Sequence, residues 1–308
     1  MSSETVSDPP DRRLLLVHAH PDDETIGSGV TMAKYVAEGA AVALVTCTLG
    51  EEGEVLVEDL AHLAADREDD LGPQRLVELK AAMEALGVTD FTRLGGDFHY
   101  RDSGMAYDEH GRAVARSELR PGIFWSADLL EATLELVPII RSRRPQVLIT
   151  YDENGGYGHP DHVQAHRVAM YAYLLAGVPT YRRDLGEPWV VSRVLWTAMS
   201  ARELREGLRA LRESGDLKTW EGMDPEGEMP PMASDDADIA AVVRGGDHVE
   251  AKMAAMRAHR SQIALDGPFF AMADVYGNRA WSSEHYRLAA GTPFPGDGWA
   301  DDLFAGLA

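Results

Sequence analysis

Residues 13–50 read RLLLVHAHPDDETIGSGVTMAKYVAEGAAVALVTCTLG, and this stretch decides the fold. Its opening run, RLLLVHAH, is continuously apolar rather than alternating, as expected of a strand covered on both faces. GSGVTMAKYVAEGA has helical character with a glycine stop, and AVALVTCTLG is a second apolar strand. Together they make a βαβ unit.

The alternation continues downstream. QRLVELKAAMEALGV predicts an amphipathic helix ending at Gly87, and ADLLEATLELVPIIRSRRP a longer helix leading into the strand QVLITYD. PDHVQAHRVAMYAYLLAGV predicts a further helix, with Pro160 suited to its first turn. The expected fold class is α/β: a Rossmann-like, mostly parallel sheet flanked by helices. After Gly177 the pattern loosens into a strand (SRVLWTAMS), a helix (ARELREGLRALRES), an acidic loop rich in Pro and Met (EGMDPEGEMPPMASDDAD) and a helix (HVEAKMAAMRAHRSQ). The expected division is a flexible leader over 1–12, an α/β domain over 13–180, and a mixed C-terminal portion over 181–308.

Composition narrows the partners. With 308 residues and 45% apolar content, the chain can bury a sizeable core. It carries 29 basic against 51 acidic residues, a formal net charge of −22, and no concentrated basic run, which argues against a nucleic-acid ligand. The start MSSETVSDPPDRR has no apolar signal core, and no apolar run approaches the roughly 20 residues needed to span a bilayer, so the expectation is a cytoplasmic protein without a membrane partner. The single cysteine, Cys47, can form no internal disulfide and reads as a buried strand thiol.

The chemistry lies at the strand ends. Ligands of open α/β sheets bind outside the carboxyl ends of the strands, where a dinucleotide fold would carry G-x-G-x-x-G. Here the first strand ends in HPDD, so a nucleotide-dependent oxidoreductase is disfavoured. His20 and Asp23, three residues apart on a tight turn, are suited to converge on one divalent ion. The stretch YDENGGYGHPDH follows another apolar strand and adds His159, Asp161 and His162 behind glycines that can fold the loop back. Two histidines and one carboxylate match a catalytic zinc site, leaving Asp22 free to handle a proton, and hydrolysis follows. His18 and His166 read as neighbours of the site, Glu24 as a first-turn carboxylate favouring the helix dipole, and His62, His99, His110, His248, His259 and His285 as ordinary surface or core histidines.

HPDD and HPDH together resemble the zinc-dependent de-N-acetylase family that includes N-acetylglucosaminyl-phosphatidylinositol de-N-acetylase. VTCTLGEEGEV, RDSGM and YDENGGYGHPDH, with a likeness running from about Arg13 to the end, resemble most closely its mycothiol-pathway deacetylase branch. The resemblance implies hydrolysis of the acetamide of a neutral pseudo-disaccharide, 1-D-myo-inositol 2-acetamido-2-deoxy-α-D-glucopyranoside, with one Zn²⁺ held by His20, Asp23 and His162; Fe²⁺ accepts the same donors. It implies Asp22 as general base and then general acid, His159 as an oxyanion stabiliser that Asp161 orients or charges, and Tyr157 as a ring that moves over the site and contacts the tetrahedral intermediate. It implies that Arg75, Asp102 and Met105 hold sugar and inositol hydroxyls. The mycothiol S-conjugate amidase branch shares the zinc motifs; RDSGM, CTLGEEGEV and Gly27, where the amidase tends to carry lysine, favour the deacetylase. A non-catalytic sugar-binding module is the third reading, and the presence of Asp22 disfavours it.

Overall fold

A computed structural model describes residues 11–109, 111–277 and 281–307. Residues 1–10 of the expected leader, and His110, lie outside the described residues. The expected strand of the first unit is β1 (Arg13–His18), followed by α1 (Asp23–Ala37) and β2 (Ala41–Thr46). β1 pairs in parallel with β2 on one side and with β6 (Val147–Thr150) on the other, so it occupies the interior of the sheet. Its side chains alternate between two cores: Leu14 and Leu16 face one, Leu15 and Val17 the other, all fully or nearly fully buried. Each such burial contributes about 1.5–3 kcal/mol, which explains why no polar residue interrupts the run.

α2 (Leu71–Leu86) and α6 (Val249–Ala258) join α1 on the Leu14 face, while α3 (Leu129–Arg143) and α4 (Pro160–Ala176) cover the other. The helix ends follow their residues. Gly87 closes α2 at φ 74°, Asp128 caps α3 by accepting from Leu130 and Glu131, and Pro160 opens α4.

β3 (Asp90–Arg93) extends the sheet beyond β2, and β7 (Arg193–Ser200), β10 (Ser283–Gly291) and β9 (Ala241–Arg244) extend it beyond β6. The order is β3-β2-β1-β6-β7-β10-β9, parallel as far as β7 and antiparallel after it. The connection around residue 180 is therefore crossed by the sheet itself. Smaller elements complete the chain: the hairpin β4 (Ala106–Tyr107) with β5 (Ala113–Val114), β8 (Ala233–Ser234) beside β7, and α5 (Ala201–Glu213) against α7 (Pro268–Tyr276). Among the described residues no helix is long and apolar enough to cross a membrane.

The C-terminal third also grips α1. Glu284 on β10 accepts the backbone N–H groups of Val30 and Thr31 at 2.9 and 2.7 Å, and Lys252 on α6 donates to Ile26 O at 2.8 Å and to Glu284 at 2.7 Å. A buried ion pair thus makes the bonds that helix carbonyls ordinarily accept and helix amides ordinarily give. Glu284→Ala leaves the Lys252 charge buried and unpaired, and urea denaturation is expected to show a loss of about 3–5 kcal/mol.

Candidate metal centre and active site

Because β1 and β6 are parallel neighbours, the two H-P-D turns rise at the same edge of the sheet. The first turn is held tightly. Ala19 N donates to Tyr151 Oη at 2.8 Å, Tyr151 Oη donates to Asp23 Oδ2 at 2.7 Å, and His20 N donates to the same oxygen at 2.9 Å. On the second, Gly155, Gly156 and Gly158 all have positive φ. A Cβ at Gly155 would lie 2.7 Å from Val163 N and 2.8 Å from His162 Cβ, so the loop folds against α4 only with glycine there.

Three donors converge. His20 Nδ1 lies 3.3 Å from Asp23 Oδ2, His162 Nε2 lies 3.3 Å from Asp23 Oδ1, and the two nitrogens are 3.3 Å apart. Tetrahedral ligands with bonds of about 2.0–2.1 Å to zinc stand about 3.3–3.4 Å from one another, and each of the two nitrogens stands at that distance from the other and from one oxygen of Asp23, spacings suited to a divalent ion. Ligand atoms of His20, His159 and His162 also lie within 4.8 Å of one another. The surrounding charge favours a cation: burial works against it, yet Asp102, Asp161 and Asp23 hold His20 well above its ordinary value. Burial likewise opposes the Asp23 carboxylate, and His162 and His20 still hold it well below the usual carboxylate range.

A second layer orients these donors, the arrangement that fixes tautomers in metal sites. His20 Nε2 lies 3.2 Å from Asp161 Oδ2 and 3.4 Å from Asp102 Oδ1. Asp161 is gripped in turn by Ser103, through N at 2.9 Å and through Oγ. The ring of Tyr151 stacks on His162 with centroids 4.3 Å apart.

One expected pairing is corrected. The Asp161 carboxylate does not reach His159; it is the Asp161 backbone N that donates to His159 Nδ1, at 3.1 Å, while the carboxylate turns to His20 and Ser103. The reason lies in helix geometry: His159 is the N-cap of α4, so its side chain accepts from the backbone two residues on. With Nδ1 accepting, the His159 proton sits on Nε2. Burial together with the neighbouring His20 and His162 pushes its pKa down to about 2, which favours the neutral ring.

Asp22 occupies a strained turn at φ 119° and keeps 16% side-chain exposure. Burial raises its pKa to about 6 against the opposing pull of Arg75, whose Nη2 lies 3.0 Å from Asp22 Oδ2. Arg75 also donates to Pro21 O and, at 3.0 Å, to Gly50 O, where any Cβ would overlap the guanidinium. Expected to meet substrate hydroxyls, Arg75 is instead 2% exposed and engaged behind Asp22, with Nε alone unpartnered. Asp102 is buried, accepting from Gly104 N at 2.8 Å and Glu52 N at 3.1 Å; Met105 is half-buried on the same loop. Tyr157, 43% exposed, stands over the site with its ring 5.0 Å from that of His162.

His18 is buried beside Tyr151, and His166 Nδ1 bonds Tyr151 O at 2.9 Å, so both are neighbours rather than parts of the donor set. Tyr151, Ser103 and Glu51, which accepts from Asp102 N at 2.9 Å, were not singled out from the sequence although each lies inside a quoted motif block. Their sequence signal was adjacency to titratable residues in YD, DS and GEE.

Donors for a cation at the carboxyl edge of a parallel sheet, beside a carboxyl group with a raised pKa, define a metal-dependent hydrolase. Residues 15–173 match the GlcNAc-PI de-N-acetylase (PIG-L) family, and the chain belongs to it. A relative from Kribbella flavida, 59% identical over 98% of this chain and 100% of its own, is named 1D-myo-inositol 2-acetamido-2-deoxy-alpha-D-glucopyranoside deacetylase. The N,N'-diacetylchitobiose deacetylase of Pyrococcus horikoshii shares the fold at TM-score 0.58 and 22% identity, covering 90% of this chain and 84% of that one. The fold is also shared, at TM-score 0.56 and 15% identity over 93% of this chain and 100% of that one, by the 4-carboxy-2-hydroxymuconate hydratase of Pseudomonas putida, so the architecture alone does not set the reaction.

Removing one convergent donor leaves two. His162→Ala is expected to weaken Zn²⁺ binding by at least about 100-fold in a chelator-competition titration, with little change in the far-ultraviolet circular dichroism.

Proposed function

We propose that this chain is the deacetylase of 1-D-myo-inositol 2-acetamido-2-deoxy-α-D-glucopyranoside, a cytoplasmic zinc enzyme of mycothiol biosynthesis that releases acetate and the free amine. The observation that carries the hydrolytic reading is a carboxylate, Asp22, next in sequence to a convergent two-histidine, one-carboxylate donor set. The 59% identity to the Kribbella relative over 98% of this chain supports the substrate.

His20, Asp23 and His162 hold the ion, and Zn²⁺ suits nitrogen and carboxylate donors, although Fe²⁺ accepts the same set. When bound, such an ion polarises an amide carbonyl and lowers the pKa of water towards 7. Asp22 takes a proton from the attacking water at its carboxylate oxygen as the C–O bond forms. The same carboxyl then gives that proton to the amide nitrogen as the C–N bond breaks, so acetate and amine leave in balance. Arg75 keeps the carboxylate aimed between these two tasks. His159, with its proton on Nε2, donates to the carbonyl oxygen as negative charge builds, a bond stronger in the tetrahedral species than in the ground state.

Asp161 and Asp102 orient His20 through Nε2, and Tyr157 covers the opening. Met105 and the loop that carries Asp102 line the sugar side, while Arg75 acts from behind Asp22. A neutral pseudo-disaccharide suits a chain of net charge −22, because hydroxyl hydrogen bonds rather than long-range attraction recognise it. Residues 13–180 form the catalytic part, and 181–308 complete the pocket wall.

Release of free amine from the acetylated glucosaminyl-inositol is to be compared with release from a mycothiol S-conjugate. Preference for the acetylated sugar is expected; preference for the conjugate makes the chain an amidase, and turnover of neither overturns the substrate class. Asp22→Asn is expected to lower kcat by about 10²–10⁴-fold with bound metal unchanged. His159→Ala is expected to lower kcat by about 10²–10³-fold.

A further inference from the structure

Residues 259–262, HRSQ, follow α6 in the C-terminal third and, besides the exposed Arg260–Asp59 ion pair and the Leu56 N to Ser261 O bond, reach back into the N-terminal half at three places. Ser261 donates to Glu78 through N at 3.1 Å and Oγ at 2.7 Å, and Gln262 Nε2 donates to Glu54 O at 3.1 Å. The third contact concerns the reaction: His259 Nε2 lies 2.9 Å from Glu24 Oε1, both residues being 0% exposed. The other oxygen of that carboxylate, Oε2, accepts the backbone N–H of Asp22 at 2.9 Å.

Asp22 is the residue at φ 119°, a conformation that costs a side-chain-bearing residue about 1–3 kcal/mol and persists only where the surroundings over-determine it. Two groups do so. Arg75 holds the carboxylate end, and Glu24 holds the backbone end. Glu24 can hold it only if its carboxyl group stays fixed in a fully buried position, which is expensive without partners. Thr25 Oγ1 donates to Glu24 Oε1 at 2.6 Å, and His259 supplies the second donor to that oxygen, leaving Oε2 for Asp22. A carboxylate serving only the α1 dipole would need no partner from 235 residues away.

We propose that His259, acting through Glu24, is a positioning residue that holds Asp22 in its strained, working conformation. This rests on the reading of Asp22 as the proton-transfer group. It gives the C-terminal third a part in the reaction besides walling the pocket.

The test compares His259→Ala, His259→Gln and Ser261→Ala, with His259→Ala repeated in an Asp22→Asn background, reading kcat, KM, bound metal and melting temperature. His259→Ala is expected to lower kcat by about 10–100-fold at unchanged KM and metal content, since a small misplacement of a reacting group has that cost. His259→Gln, whose side-chain amide can donate where Nε2 does, is expected to recover most of that loss. Ser261→Ala removes a neighbouring buried hydrogen bond and is expected to leave kcat within about twofold. In the Asp22→Asn background His259→Ala is expected to cost nothing further in kcat, because two groups acting as one unit are not additive. Unchanged kcat in His259→Ala, no recovery with glutamine, or a full additional loss in the Asp22→Asn background overturns the proposal. Asp22→Asn at full activity defeats the reading of Asp22 itself, whereas an inactive Asp22→Asn beside a fully active His259→Ala defeats only the positioning role.

Discussion

The pairing of β1 with β6 is the constraint on which the rest depends. The two strands run parallel with Leu14, Leu15 and Leu16 opposite Val147, Leu148 and Ile149, so they end side by side. Each then turns through an H-P-D segment into a helix, α1 or α4. Two donors come from one turn and a third from the other, and they meet because the strands do. The glycine-rich loop, the serine that grips Asp161 and the tyrosine stacked on His162 all elaborate that edge.

Burying so much charge has consequences. Asp23, Asp102, Asp161 and three imidazoles share a space largely closed to water, where an unpaired charge is costly. The site resolves this by pairing: each carboxylate meets an imidazole, a backbone N–H or a hydroxyl. Asp22 and Asp23, adjacent in sequence, are pushed in opposite directions, the first up to about 6 by burial and the second well down by His162 and His20. Such divergence suits the proposed division between a proton carrier and a ligand.

Much of this was legible in the chain. Both titratable clusters, the parallel core strands, α1 to α6 and the glycine and proline helix ends follow from local pattern, because each depends on neighbours a few residues apart. β3, β9, β10 and α7 were not read. β3 and β9 are four residues each, too short for a period to register, and β10 places Glu284 and His285 inside the protein. A buried glutamate looks like surface until its lysine partner, 32 residues away, is in place.

The sequence by itself determined which chemistry is present: two H-P-D turns behind apolar strands, a spare aspartate, and glycines that let one turn fold back. Only the tertiary structure decided the partners. It turned the Asp161 carboxylate from His159 to His20, set Arg75 behind Asp22, and brought His259 to Glu24 from the far end of the chain. The physical reason is range. Backbone preference and hydrophobic period act over a few residues, whereas a hydrogen bond between side chains depends on where the sheet and its helices place them, and no local pattern carries that position.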